Sequence, residues 1–173
     1  MIRTDLPDCF LRPWQESDQA ALVALADNRK IWRNLTDLFP HPYTEADAAF
    51  WIEFANHSAP SCHVAIVHRG SLVGGIGIIA GEGNARFTGN FGYWLGEPHW
   101  GQGIASAAAR AMADHAFTHL RFERLEGAVF EWNAASMRVL EKAGFRREGV
   151  LRKSVFKDGQ LIDSVMHARL RGD

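Results

Sequence analysis

Trp94-Leu-Gly-Glu-Pro-His-Trp-Gly-Gln-Gly-Ile-Ala-Ser106 is the stretch from which the rest of the chain can be read. Before it, residues 86–95 read as a strand that stops at Gly96-Glu-Pro. After it, an alanine-rich segment from Gln102 to Leu120 reads as a helix of about 18 residues, roughly 27 Å long at 1.5 Å per residue. The first turn of such a helix carries backbone N–H groups without helical partners at the positive end of the dipole, a place suited to a phosphate or pyrophosphate. Gly101 and Gly103 let the backbone turn and approach a ligand closely, and Ala105 keeps the same face small. A glycine-rich loop with no ligand has the same composition, so this stretch alone leaves both readings open.

Working outward, residues 9–14 read as a first strand. Ser17-Asp-Gln precedes an Ala/Leu-rich segment to Asp27 with helical spacing, and Ser17 is its expected cap. A second helix is expected after Pro42-Tyr-Thr, where Thr44 caps and Asp47 stands three residues on, a capping box with Asp in place of Glu or Gln. Its apolar face is Phe50, Trp51 and Phe54. From Ser61 the period becomes two, with Val64, Ile66 and His68 alternating against Ala65 and Val67; Arg69-Gly-Ser then turns the chain into residues 72–79, forming a hairpin.

Beyond the long helix, residues 125–130 read as a strand and 134–142 as a short helix closed by Gly144. Residues 145–155 and 161–170 form a last hairpin around Lys157-Asp-Gly-Gln. Three strands in succession before the long helix imply antiparallel neighbours. The class is therefore α+β, a mixed and mostly antiparallel sheet flanked by helices, and not a doubly wound parallel fold. Gly75-Ile-Gly-Ile-Ile-Ala imitates a dinucleotide-binding pattern, but Gly81-Glu-Gly-Asn follows it and no helix starts there to receive phosphates.

The 173 residues amount to one domain spanning 1–173. With 47% hydrophobic and 23% charged residues the chain can bury a core, which excludes a disordered or fibrous protein. Nineteen Lys and Arg against twenty Asp and Glu leave a net charge of −1, so there is no global attraction to nucleic acid or to an anionic membrane. An anionic ligand has to be held locally. No secretory signal and no apolar run of membrane length is evident, and a cytosolic location is expected. Cys9 and Cys62 read as two buried thiols, not a disulfide. His115 and His119 are four apart, as helix metal ligands can be, but no third ligand is evident and no metal site is expected. A strand edge near the end of the chain could pair with a second subunit as a homodimer.

A second element, Asn133-Ala-Ala-Ser-Met-Arg-Val-Leu-Glu-Lys-Ala-Gly-Phe, starts a helix at Asn133 and places Ser136 one turn along on a similar face. Asn133 can be read simply as an N-cap. In this order and about 30 residues apart, the two elements together resemble the Gcn5-related N-acetyltransferase (GNAT) family. Leu11-Arg-Pro-Trp with Asp18, Trp32, Phe39-Pro-His-Pro-Tyr-Thr, residues 46–51, Gly149-Val-Leu-Arg and Asp158-Gly with Asp163 are similar to its RimJ/RimL-like, ribosomal-protein branch.

The resemblance implies the GNAT fold, acetyl-CoA as cosubstrate and transfer of an acetyl group to a primary amine. It implies that Leu95 and its strand neighbours present backbone groups to pantetheine and the thioester carbonyl. Gly101, Gln102, Gly103, Ile104, Ala105 and Ser106 would cradle the pyrophosphate, and Asn133 and Ser136 would contact the cofactor near sulfur. Three positions depart from the wider family. Trp100 replaces a frequent Gln or Arg, Leu140 replaces a Tyr that protonates the departing thiolate, and Asn90 stands where relatives often carry Glu.

Attack on a thioester needs a neutral amine. Deprotonation at pH 7 costs about 4.6 kcal/mol for Lys but only about 1–1.4 kcal/mol for an α-amine. With Asn90 in place of a carboxylate, an N-terminal α-amine of a protein or peptide is the expected acceptor, attacking directly in a ternary complex. Backbone N–H groups would stabilise the oxyanion, and Ser136 or a water would protonate the thiolate. A polyamine, amino acid or antibiotic amine is the alternative acceptor, and an acyl-CoA sensor without transfer is the alternative class. Trp32, Phe39, Tyr43, Tyr93 and Trp132 are candidates to line the acceptor pocket, with Glu131 and Asp163 as acidic candidates beside it. Each of these also has a plain structural reading as core or as a solvated charge.

Overall fold

A computed structural model describes all 173 residues. Its frame is one eight-stranded sheet ordered β1-β2-β3-β4-β5-β6-β8-β7, built from β1 (Ile2–Arg3), β2 (Cys9–Arg12), β3 (Cys62–His68), β4 (Ser71–Ala80), β5 (Thr88–Leu95), β6 (Arg124–Phe130), β7 (Arg146–Lys157) and β8 (Gln160–Leu170). Five helices join them: α1 (Gln19–Ala26), α2 (Arg29–Trp32), α3 (Glu45–Asn56), α4 (Ile104–His119) and α5 (Ala134–Lys142). All neighbouring strands are antiparallel except β5 and β6. The α+β reading with a mixed, mostly antiparallel sheet is what the chain adopts.

The helices divide between the two faces. On one, α1 and α3 close over Trp14, Tyr43, Ala65 and Leu72. On the other, α4 and α5 close over Leu11, Ile66, Ile78, Phe91, Leu125 and Phe145. Coverage on both faces explains why Val64, Ala65, Ile66 and Val67 are all buried, the two alternating sets alike. Alanine makes α4 thin: Ala107, Ala108, Ala109, Ala113 and Ala116 are buried with Met112, so the helix axis can lie close to the sheet.

Several local expectations hold, and others need correction. Thr44 and Asp47 form the reciprocal capping box of α3. Ser17 is not the cap of α1; Gln15 and Asp18 instead bracket a short 3-10 turn over Glu16–Asp18 that leads into it, because the Asp18 carboxylate is taken by Arg12 and the Gln15 amide. The strand before the glycine-rich turn starts at Thr88, not at residue 86, since Gly83–Ala85 form a 3-10 turn. The one-turn helix α2 and the two-residue β1 are too short to leave a periodic signal. Gly75, in the dinucleotide look-alike, lies inside β4 opposite Trp94. Both cysteines are free, and no group of His, Cys, Asp and Glu that could hold a metal is present. No helix is long and apolar enough to cross a membrane. β7 forms one edge of the sheet, bulged between Leu151 and Val155.

Candidate active site

The parallel pair decides where a ligand can enter. β5 and β6 pair only through Thr88, Gly89 and Asn90 against Arg124, Leu125 and Glu126, and beyond these residues no register joins them, so the sheet opens into a V. The bond from Gly96 N–H to the Val73 carbonyl fixes the phase of the β4–β5 ladder. By alternation, Gly92 and Trp94 direct their backbone groups at β4, and Phe91, Tyr93 and Leu95 direct theirs across the V. The Leu95 carbonyl already accepts the Trp100 indole N–H at 2.8 Å. That bond ties the glycine-rich loop to the end of β5.

The loop continues into α4. Gly103 is the N-cap residue at φ 78° with no side-chain cap, and Gly101 has φ 74°. The first helical bond runs from Ala107 N–H to the Gly103 carbonyl at 3.0 Å, which leaves the amides of Ile104, Ala105 and Ser106 without helical acceptors. A Cβ built on Gly101 or Gly103 would meet nothing within 4 Å. These glycines therefore serve a positive φ next to open space. Gln102 uses its side chain within the loop, donating to the Pro98 carbonyl at 3.0 Å, so what it offers outward is backbone. A cavity of about 380 Å³ borders this mouth, with Gly103, Ser106, Arg110 and Lys142 in its lining.

Across the V lies α5. Asn133 is its N-cap, accepting the Ser136 amide at 3.1 Å. Tyr93 reaches over from β5: its hydroxyl lies 2.7 Å from Ser136 Oγ and 3.1 Å from the Ser136 carbonyl. Burial pushes the Tyr93 phenol up to about 12, against the lowering effect of its bond to Ser136. Leu140 is buried against the position where Gly127 lacks a side chain.

The other face of the V carries Asn90 and Gly92, both exposed, beside Trp94, whose ring packs edge-on against Phe39 at 5.8 Å. Asn90 stands directly opposite Glu126 in the parallel register, and Glu126 accepts from Arg124 Nε at 2.9 Å. Sequence reasoning passed over Glu126 because only strand pairing brings it beside Asn90. Trp32 is not an open pocket wall, since the Lys157 ammonium lies 3.7 Å from its ring centre. Tyr43 is buried in the core beneath Phe39, 5.0 Å between ring centres. Glu131 accepts the Asp163 amide at 3.1 Å, and Asp163 accepts the Lys153 amide at 2.8 Å. Both acids thus brace the bulge of β7 and the facing stretch of β8, next to the end of β6. Trp132 donates to Asn34 Oδ1 at 3.1 Å under the Arg33 guanidinium, 4.2 Å from the ring centre. Neither Asn34 nor Arg33 left a motif in the sequence that pointed to this contact.

Comparison with known proteins agrees with this geometry. The acetyltransferase (GNAT) domain family model matches residues 9–146. The chain is 40% identical over 102 residues to the probable N-acetyltransferase YjcK of Bacillus subtilis, a stretch covering 59% of this chain and 56% of that protein, so it spans little more than half of that relative's length. It is 26% identical over 167 residues to the L-amino acid N-acetyltransferase AaaT of Escherichia coli, covering 96% of this chain and 100% of that protein. Among solved structures it superposes on Mycobacterium smegmatis RimJ in complex with CoA-disulfide with a TM-score of 0.84 and 27% identity, covering 94% of this chain and 81% of that one. An uncapped helix mouth facing a splayed parallel pair, in a chain that the family model matches over most of its length, has one reading: the protein belongs to the GNAT acetyltransferase family.

Proposed function

We propose that the protein is an acetyl-CoA-dependent N-acetyltransferase acting on a primary amine, with an α-amine of a peptide as the first acceptor class. The observation that carries the proposal is the coincidence of three free amides, two left-handed glycines beside open space and a V between β5 and β6. Backbone N–H groups of Ile104, Ala105 and Ser106 receive the pyrophosphate oxygens at the positive end of α4. Tyr93 and Leu95 turn backbone groups toward the pantetheine arm and the acyl carbonyl. Asn133 and Ser136 border the sulfur. When bound, acetyl-CoA supplies an activated acyl carbon.

The acceptor enters from the Asn90 face, between the Phe39–Trp94 wall and Trp132. No carboxylate replaces Asn90 on β5 itself, which favours an acceptor that is easily deprotonated, and an α-amine needs about 3 kcal/mol less than a lysine at pH 7. A second reading, an amino acid as acceptor, draws support from the full-length similarity to AaaT.

Calorimetry with acetyl-CoA tests the placement. The wild type binds, and the pair Gly101→Asp with Gly103→Asp abolishes binding through repulsion and bulk at the mouth of α4. Retained binding in that variant would show the pyrophosphate to lie elsewhere. Thiol release with short peptides, spermidine and L-amino acids then ranks the acceptors. Binding without release for any amine marks an acyl-CoA sensor instead.

A further inference from the structure

We propose that Tyr93 is a positioning residue that aims the Ser136 hydroxyl at the departing sulfur, so that two hydroxyls act as one hydrogen-bond donor to the thiolate. The inference rests on the proposed coenzyme site and concerns what these two side chains do within it.

Proton counting gives the argument. Tyr93 Oη lies 2.7 Å from Ser136 Oγ and 3.1 Å from the Ser136 carbonyl, and each hydroxyl owns one proton. Two arrangements are possible: the first makes both contacts, and the second keeps the 2.7 Å bond and gives up the one to the carbonyl. In the first, Ser136 donates to Tyr93 and Tyr93 donates to the carbonyl; the ring of bonds closes on itself, and only serine lone pairs remain for the cleft. In the second, Tyr93 donates to Ser136 Oγ over the shorter distance, and the serine proton is free to be offered outward. An anionic sulfur in the V stabilises the second arrangement alone. Without Tyr93, the Ser136 hydroxyl has no bond that fixes its rotor, since Asn133 engages only the Ser136 amide.

The pair gives a hydrogen bond and not a proton. A phenol whose pKa is raised by burial is a weaker acid than a thiol near 8.5, so passing its proton through Ser136 to sulfur is unfavourable. In the reaction the amine nitrogen forms a bond to the acyl carbon, the carbon–sulfur bond breaks with its electron pair going to sulfur, and nitrogen loses its proton to water. The thiolate, held by the Ser136 hydroxyl, is later protonated from water. Charge-assisted bonds of this kind are the strong ones. A donor held in place before sulfur becomes negative needs no reorganisation at that moment.

The test needs no acceptor. Coenzyme A is bound to the protein, its affinity is measured by calorimetry, and the thiol is titrated through the ultraviolet absorbance of the thiolate. The bound thiol is expected about one pK unit below its value of about 8.5 in water. Tyr93→Phe and Ser136→Ala should each remove that depression in protein that still binds coenzyme A, and the double variant should be no worse than Ser136→Ala alone. Failure of the wild type to bind coenzyme A removes the proposed site itself. Binding with a thiol that titrates identically in wild type and Tyr93→Phe overturns the role of Tyr93, as does a double variant whose two losses add.

Discussion

Asp18 shows how one residue of this chain is held. It is 5% exposed, and burial by itself would raise its pKa. Two 2.7 Å bonds from the Arg12 guanidinium and a 2.9 Å bond from the Gln15 amide outweigh that and hold the carboxyl below its usual range. A carboxylate whose pKa is depressed on folding adds stability that is complete above its unfolded value near 4 and is lost as pH falls through the folded value. Thermal melts between pH 7 and pH 2.5 should therefore show a smaller acid loss in Asp18→Asn, which starts less stable at pH 7. Parallel melting curves for the two proteins would refute this. The same economy operates at Gly103, where φ 78° excludes most side chains and the missing Cβ leaves open space. Backbone geometry and access for a ligand make the same demand there.

Among the elements, β4 is the most tightly constrained. Gly74 sits opposite Leu95, and a Cβ there would lie 2.2 Å from the Trp94 carbonyl oxygen. At Gly75 a Cβ would lie 2.9 Å from both Trp14 and Trp94. A backbone oxygen cannot swing aside as a side-chain tip can, so Gly74→Ala must push β5 away from β4. We expect a loss of about 2–3 kcal/mol in chemical denaturation, accompanied by weaker coenzyme binding, since β5 is one arm of the V. Unchanged stability would mean that the two strands move apart freely. Gly74 and Gly75 thus act at the site through strand spacing, not as the phosphate loop that their sequence imitates.

At the scale of the whole molecule, the acceptor side depends on a clasp. Lys157, at the tip of the β7–β8 hairpin, is buried with its ammonium against the Trp32 ring and 2.6 Å from Asp37 Oδ1, whereas Asp37 is 74% exposed. Asp158 next to it accepts from Arg29 at 2.8 Å and lies 3.5 Å from Arg33. These contacts join α2 and the segment after it to the β7–β8 end of the sheet. Removing one partner of a buried charge costs more than removing the charge itself. Asp37→Asn should therefore lower stability by about 1–2 kcal/mol, the exposed partner reducing the full effect. Lys157→Met should remain within about 1 kcal/mol of wild type in urea unfolding. The reverse order would show that the ammonium is itself the stabilising group.

Local chemistry made much of this architecture legible in advance. Thr44 and Asp47 announce a helix because a capping box is formed within four residues. Gly101 and Gly103 announce a turn because only glycine adopts that backbone cheaply, and the Asn133 helix and both hairpins follow from spacing alone. The V, the Tyr93–Ser136 contact, the pairing of Asn90 with Glu126 and the seating of Lys157 on Trp32 could not be read this way. Each joins residues 36 to 125 positions apart in the sequence, and their meeting depends on strand order and packing, which no local pattern encodes.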